Sequence, residues 1–209
     1  MGPTGSAGEP HGANHTGEHD PLVLPTGLPI PEDDGAAAHL QGARMPRLIL
    51  PATDGSWFSV GGPPGGFDRL VLYAYPRTGR PGEDPLTPDW DQIPGARGCT
   101  PESCGFRDHA AELAAVGAAV AGVSTQPTDY QREAVERLRL PFPLLSDANL
   151  RLAETLRFPT FEAGGQALLK RLTLVVRDGL VEKVFYPVFP TDGHAEEVLD
   201  WIQSRESRR

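Results

Sequence analysis

Two cysteines, Cys99 and Cys104, are the residues whose type and spacing suggest chemistry, and the sequence contains no others. Cys99 follows Gly98 at the end of a loop, and the next residues, Thr100 and Pro101, are typical of a helix start, with Thr100 as a plausible cap. The amide groups and dipole at a helix start favour an anion, so they favour the Cys99 thiolate. A thiolate is the species that attacks a peroxide oxygen. The alternative is a small buried cysteine that only packs.

The spacing of the two cysteines limits how their sulfurs can meet. If both are helical, the rise alone separates their Cα atoms by ~7.5 Å, whereas a disulfide usually needs ~4.4–6.8 Å. A bridge therefore requires the first helical turns to unwind, which Gly105 would ease. This predicts an order of events: peroxide oxidises Cys99 to a sulfenic acid, the turn opens, and Cys104 condenses with it. The alternative for Cys104 is a buried helix residue without a redox role.

Metal binding is the competing use of such cysteines. Cys99, Cys104 and His109 lack an evident fourth ligand, and a structural zinc site normally has four. A second candidate set of metal ligands is formed by three histidines spaced four residues apart near the N-terminus, His11, His15 and His19. Their neighbours do not favour a helix, so this spacing does not place them on one face. We therefore predict no metal and no other cofactor.

Composition restricts the partners and the compartment. The chain has 19 Lys and Arg against 28 Asp and Glu, a net charge of −9, which argues against nucleic-acid binding. No apolar run reaches the ~18–20 residues that span a bilayer, so no membrane association is expected. The N-terminus lacks the pattern of a secretory signal. We expect a soluble, cytoplasmic protein whose thiols stay reduced.

The pattern of apolar residues indicates one α/β domain. Residues 1–45 predict a flexible or loosely packed arm, residues 46–209 the domain, and residues 77–97 a long inserted loop. Alternating strand and helix signals predict a mixed central sheet with helices on both faces and an N-terminal hairpin. The predicted strands are 48–50, 57–60, 70–75, 118–124, 142–145, 168–176 and 180–185. The first predicted helix begins near Thr100 and ends at Gly117. The second begins at a Thr128/Gln131 capping box, the third spans 147–157, and the fourth begins after Asp192.

The cysteine segment resembles a known family. Tyr75-Pro76 followed by Gly98-Cys99-Thr100-x-x-x-Cys104-Gly105-Phe106-Arg107-Asp108 is similar to peroxiredoxins, specifically the peroxiredoxin Q (bacterioferritin comigratory protein) subfamily. The similarity covers roughly residues 46–204. It continues in Gly122-Val-Ser124, Pro143-Leu-Leu-Ser-Asp147 and Lys170-Arg171-Leu172-Thr173-Leu174-Val175.

The resemblance implies a thioredoxin-like fold and a thiol-dependent peroxidase acting on hydrogen peroxide or organic hydroperoxides. Cys99 corresponds to the peroxidatic cysteine, Cys104 to the resolving cysteine, and Arg171 to the arginine that faces the thiolate. The alternative for Arg171 is a solvent-exposed position at a strand edge. Thioredoxin or a similar dithiol is the implied reductant, and a monomer or weak dimer the implied assembly.

One departure from the family pattern concerns substrate binding. The family carries Pro-x-x-x-Thr-x-x-Cys, but here Gln92 and Ala96 precede Cys99 by seven and three positions. Pro76 is the candidate for the family's proline, and the alternatives for the threonine are Thr78, Thr100 or no residue. These three are the candidate substrate-binding residues.

A different function class fits the same fold. The chain could be a thiol–disulfide exchange protein or a redox-responsive binding module that docks through the inserted loop. Exchange proteins with this fold usually carry Cys-x-x-Cys, and the wider gap here argues against that alternative.

Overall fold

A five-stranded mixed sheet forms the centre of the computed structural model, which describes residues 21–206. The strand order is β5–β4–β3–β8–β9; β3 pairs in parallel with β4 and antiparallel with β8. This confirms the predicted mixed sheet. The five strands are β3 (Arg69–Ala74), β4 (Ala118–Ser124), β5 (Leu144–Ser146), β8 (Leu172–Arg177) and β9 (Leu180–Phe185).

Two smaller hairpins flank the central sheet. The predicted N-terminal hairpin is present as β1 (Ile49–Pro51) and β2 (Trp57–Ser59), which pair antiparallel. A second hairpin consists of β6 (Thr160–Ala163) and β7 (Gln166–Leu169). The sequence analysis did not predict the second hairpin.

Helices cover both faces of the central sheet, as predicted. They are α1 (Cys99–Asp108), α2 (Ala110–Ala115), α3 (Thr128–Leu138), α4 (Arg151–Leu156) and α5 (His194–Glu206). Alternate residues of β3 enter two cores, because side chains alternate across a strand. Leu70 and Leu72 pack with α4 and the N-terminal hairpin, whereas Val71 and Tyr73 pack with α1, α2, α3 and α5.

The prediction of a single strand over residues 168–176 is wrong, and the break in this segment determines where Arg171 lies. β7 pairs with β6, whereas β8 pairs with β3 and β9. The chain therefore changes sheets at Lys170 and Arg171, which belong to neither strand. This break leaves Arg171 next to Leu172, the residue of β8 opposite Ala74 at the end of β3.

Three predicted helix boundaries also need correction. The helix expected to run to Gly117 is interrupted at His109, which separates α1 from α2. Thr100 is not a cap, because the residue before α1 is Gly98. The expected Thr128/Gln131 capping box is absent, because the buried Gln131 amide donates hydrogen bonds to Ser124 Oγ and the Leu145 carbonyl instead.

Much of the segment before β1 is packed on the domain. Ala37, Leu40 and Met45 are buried in the core that contains α4, and the Met45 amide donates a hydrogen bond to the Gly179 carbonyl. The expected loose arm therefore does not describe residues 37–45, because their apolar side chains complete the core. Residues 1–20, with the candidate histidine ligands, lie outside the described residues. Within the described part of the chain, no helix is both long and apolar enough to cross a membrane.

Close packing at the centre of the sheet makes Gly122 sensitive to substitution. A Cβ at this position would lie 2.6 Å from Leu144 Cδ2 and 2.6 Å from Tyr73 Cζ. We expect Gly122→Ala to lower the free energy of unfolding by about 1–3 kcal/mol, the usual cost of overpacking. Chemical denaturation measures this loss. Gly62→Ala, whose Cβ would meet nothing within 4 Å, is the control, and an unchanged stability for Gly122→Ala would contradict the packing.

Candidate active site

Cys99 is the first residue of α1, at the edge of the sheet where the parallel strands end. Ligands of open α/β sheets commonly bind at this edge. Gly98, directly before it, has a φ of 105°, and a Cβ there would lie 2.5 Å from Thr191 Oγ1. Both the conformation and the space therefore require glycine at position 98. Cys99 is 3% exposed, and the carbonyl oxygen of Ala96 lies 3.6 Å from its Sγ.

Arg171 is the charged group in contact with this sulfur. Its Nη2 donates a hydrogen bond to Cys99 Sγ at 3.1 Å, and also to the carbonyl oxygens of Gly95 and Arg97, each at 3.2 Å. Burial lowers the pKa of Arg171, but the charges of Cys99 and Glu102 and its hydrogen bonds to both outweigh burial and raise it. The guanidinium therefore stays protonated beside the sulfur. This position differs from the alternative of a solvent-exposed strand edge.

Glu102 completes the group, and the sequence analysis did not identify it as a site residue. It is fully buried on α1 and forms an ion pair with Arg171 Nη1. Burial raises the pKa of the Glu102 carboxyl, and the charge of Arg171 opposes that rise. The signal was present in the sequence, because a residue three positions after Cys99 shares its helix face. A carboxylate on that inward face needs a cationic partner.

Cys104 lies in the same helix with its thiol free and half-buried. Burial raises the pKa of Cys104; the charge of Arg107 opposes this rise and that of Asp108 adds to it. Both cysteines are unpaired in this structure. With α1 intact from residue 99 to 108, the helical rise keeps their Cα atoms ~7.5 Å apart, which is beyond disulfide range.

Comparisons with known proteins identify the family of this chain. The redoxin family model matches residues 40–200. The chain belongs to the redoxin family. Peroxiredoxin Bcp of Escherichia coli is 29% identical to this redoxin over 166 residues, covering 78% of this chain and 94% of the relative. The chloroplastic peroxiredoxin Q of Suaeda salsa is 29% identical over 165 residues, covering 78% of this chain and 68% of the relative.

A solved structure supports the same placement of this redoxin. The crystal structure of peroxidoxin BcpB from Mycobacterium tuberculosis is 29% identical, has a TM-score of 0.62, and covers 78% of this chain and 96% of that chain. The family match and these relatives confirm the resemblance drawn from the cysteine motif. This redoxin is a peroxiredoxin of the Bcp/peroxiredoxin Q type with a thioredoxin-like fold.

The three candidate substrate-binding residues occupy different places. Thr100 is buried and lines the same small cavity as Cys99. Thr78 is also buried, but its hydroxyl donates a hydrogen bond to Gln126 Oε1 at 3.1 Å, and its amide binds the same oxygen. Pro76 is buried directly after β3 and is not among the residues lining that cavity. The structure therefore brings Thr100, but not Thr78, to the cavity at the sulfur.

The geometry gives no support to a metal site around the cysteines. Among residues 21–206, no three His, Cys, Asp or Glu side chains are arranged to hold a metal ion. His109 instead has its Nδ1 2.9 Å from Glu112 Oε1 on the surface.

Arg171→Lys tests whether the guanidinium contact controls the reactivity of Cys99. A lysine cannot donate hydrogen bonds to the sulfur, to Glu102 and to two carbonyl groups at the same time, because it lacks the planar fork of donors of a guanidinium. We expect the rate constant for oxidation of Cys99 by hydrogen peroxide to fall about a hundredfold, as for loss of one preorganised donor. Arg177→Lys, at the opposite end of β8, is the matched control. Equal rates for both variants and the wild type, measured by competition kinetics, would contradict this role.

Proposed function

We propose that this redoxin reduces peroxides with Cys99 as the attacking residue and Cys104 as the resolving residue. The contact between Arg171 Nη2 and Cys99 Sγ, 3.1 Å at the start of α1, carries this proposal. In the first step the thiolate attacks one peroxide oxygen and the O–O bond breaks. Cys99 becomes a sulfenic acid, and the leaving oxygen takes a proton and departs as water or an alcohol.

The surroundings of the sulfur suit this step. A positive charge and the unpaired amide groups at a helix start both stabilise a thiolate. Arg171 can donate hydrogen bonds to a bound peroxide as well as to Cys99, because its guanidinium is held in place by Glu102 and the carbonyl groups of Gly95 and Arg97. We assign orientation of the peroxide to Thr100, since the Thr78 hydroxyl is already bonded to Gln126.

The second step requires α1 to open. Cys104 attacks the sulfenic sulfur, a disulfide forms, and the hydroxyl leaves as water. Opening the first turns removes Cys99 from Arg171 and breaks the ion pair of Glu102, so the oxidised state has a different local structure. Gly105, which follows Cys104, lowers the helical stability where the turns must open.

A dithiol such as thioredoxin then reduces the disulfide by exchange and restores both thiols. Cys99, Cys104 and Arg171 all come from one chain, so the proposed cycle needs no second copy, in keeping with a monomer or weak dimer. The competing hypothesis, an exchange or binding protein with little peroxidase activity, is disfavoured by the family assignment.

Peroxide consumption with a thioredoxin system tests the function. We expect turnover of hydrogen peroxide by the wild type and none by Cys99→Ser, because the nucleophile is lost. Cys104→Ser should react once and stop at the sulfenic acid, whereas the wild type should form a Cys99–Cys104 disulfide visible by mass spectrometry after one equivalent of peroxide. Equal inactivity of the wild type and Cys99→Ser would refute the proposal.

The pH dependence of the second step provides an independent test. Attack by Cys104 needs its thiolate. Burial raises the pKa of this thiol while α1 is intact, and opening of the helix relieves that burial and returns the thiol toward its ordinary pKa. Disulfide formation should therefore accelerate as the pH rises from about 6 to about 9, across the ordinary thiol range. Rapid quenching followed by mass spectrometry measures this rate, with Cys104→Ser as the control that forms no bridge. A rate independent of pH would contradict the assignment of Cys104.

A further inference from the structure

The cavity that reaches Cys99 is small. Its volume is about 30 Å³, and Cys99 and Thr100 are among the residues that line it. A cavity needs about 10–15 Å³ to hold one water molecule, so this one has room for two atoms of oxygen size. A larger cavity of about 370 Å³ is lined by Arg171 and Gly95 but not by Cys99, and one of about 500 Å³ is lined by neither Cys99 nor Arg171. The space that Cys99 itself lines is therefore the small cavity.

One wall of this cavity is formed by the inserted loop where it packs on the β6–β7 hairpin. Leu86 and Trp90 line the cavity. Leu86 lies against Gly164, where an added Cβ would be 2.9 Å from Leu86 Cγ. Trp90 is 5% exposed and its ring lies 6.3 Å from that of Phe161. These contacts give the loop a small core of its own, so the wall is packed in place.

A second part of the cavity lining belongs to α3. Tyr130 lines the cavity, and the guanidinium groups of Arg77 and Arg80 lie over its ring at 4.7 and 4.0 Å from the centroid. Arg80 Nε also pairs with Glu133 on α3 at 3.7 Å. Stacking of guanidinium groups on an aromatic ring is favourable, so the start of the inserted loop is held on this helix.

The N-terminal segment closes a third side. Pro21 lines the cavity. The segment is held there by Arg97, whose Nη2 donates a hydrogen bond to the Val23 carbonyl at 3.1 Å and whose Nε pairs with Asp91 at 3.6 Å. The mouth over Cys99 is thus bounded by three separately anchored pieces of chain.

We propose that the inserted loop makes this site selective for hydrogen peroxide and slender primary hydroperoxides over bulky tertiary ones. The inference rests on the proposed function, because it concerns the oxidant that Cys99 attacks. The thiolate attacks the terminal oxygen, so the organic group of a hydroperoxide must point out through the mouth. A branched or aryl carbon next to the O–O bond would meet Leu86, Trp90 and Tyr130. Leu86 and Tyr130 are thus specificity-determining residues.

The test compares the oxidation of Cys99 by hydrogen peroxide and by cumene hydroperoxide. We expect the wild type to react faster with hydrogen peroxide. Leu86→Ala and Tyr130→Ala each remove side-chain volume from the cavity lining. Each should reduce the ratio of the two rate constants about tenfold, the lower end of the range for a small change in pocket volume. Leu180→Ala, an exposed leucine on β9, is the matched control and should keep the wild-type ratio.

The ratio separates this inference from the proposed function. Equal rate constants for the two peroxides in the wild type would overturn the size selectivity while leaving the peroxidase function intact. An unchanged ratio in both widened variants would overturn the assignment of Leu86 and Tyr130. If neither peroxide oxidised Cys99, the proposed function itself would fail, and the selectivity with it.

Discussion

The site depends on one buried guanidinium. Arg171 contacts the Cys99 sulfur and the Glu102 carboxylate through different nitrogens, so one side chain binds two residues of the same helix. A buried charge without a partner is strongly unfavourable, and the ion pair with Glu102 satisfies this requirement while leaving a donor for the sulfur. The same guanidinium binds the carbonyl groups of Gly95 and Arg97. It therefore holds the loop, the helix start and the sulfur in one arrangement.

In the proposed cycle, this arrangement stabilises α1 in the form that would meet peroxide and opposes the opened form that would make a disulfide. The two sulfurs of an intact helix are too far apart to bond, and opening the helix removes the contacts of Arg171 with Cys99 and Glu102. In the proposed cycle, oxidation would change the group that Arg171 contacts, because the sulfur of Cys99 would become a neutral sulfenic acid. The first step would thus weaken the contact that keeps α1 closed against the second step.

The inserted loop adds a second constraint on the same sulfur. Its contacts with α3, with the β6–β7 hairpin and with the N-terminal segment come from three parts of the chain. Arg97 belongs to both constraints, since its carbonyl oxygen accepts a hydrogen bond from Arg171 and its side chain holds Val23. The contact of Arg171 with the Cys99 sulfur and the cavity that reaches this sulfur are therefore linked through the short segment that precedes Cys99.

The sequence by itself determined the features that depend on neighbouring residues. Glycine before a cysteine, followed by Thr100-Pro101, locates a helix start, and continuous apolar runs of strand length locate the central strands of an α/β sheet, because both are local features of the chain. The tertiary structure decided which distant groups meet. Arg171 reaches Cys99 because β7 and β8 pair with different sheets. Arg171 is the cationic partner that Glu102 needs on the inward face of α1, and the Thr78 hydroxyl is bonded to Gln126 and does not line the cavity. Such contacts join residues 48 to 72 positions apart, and short-range propensities carry no information about pairing over that distance.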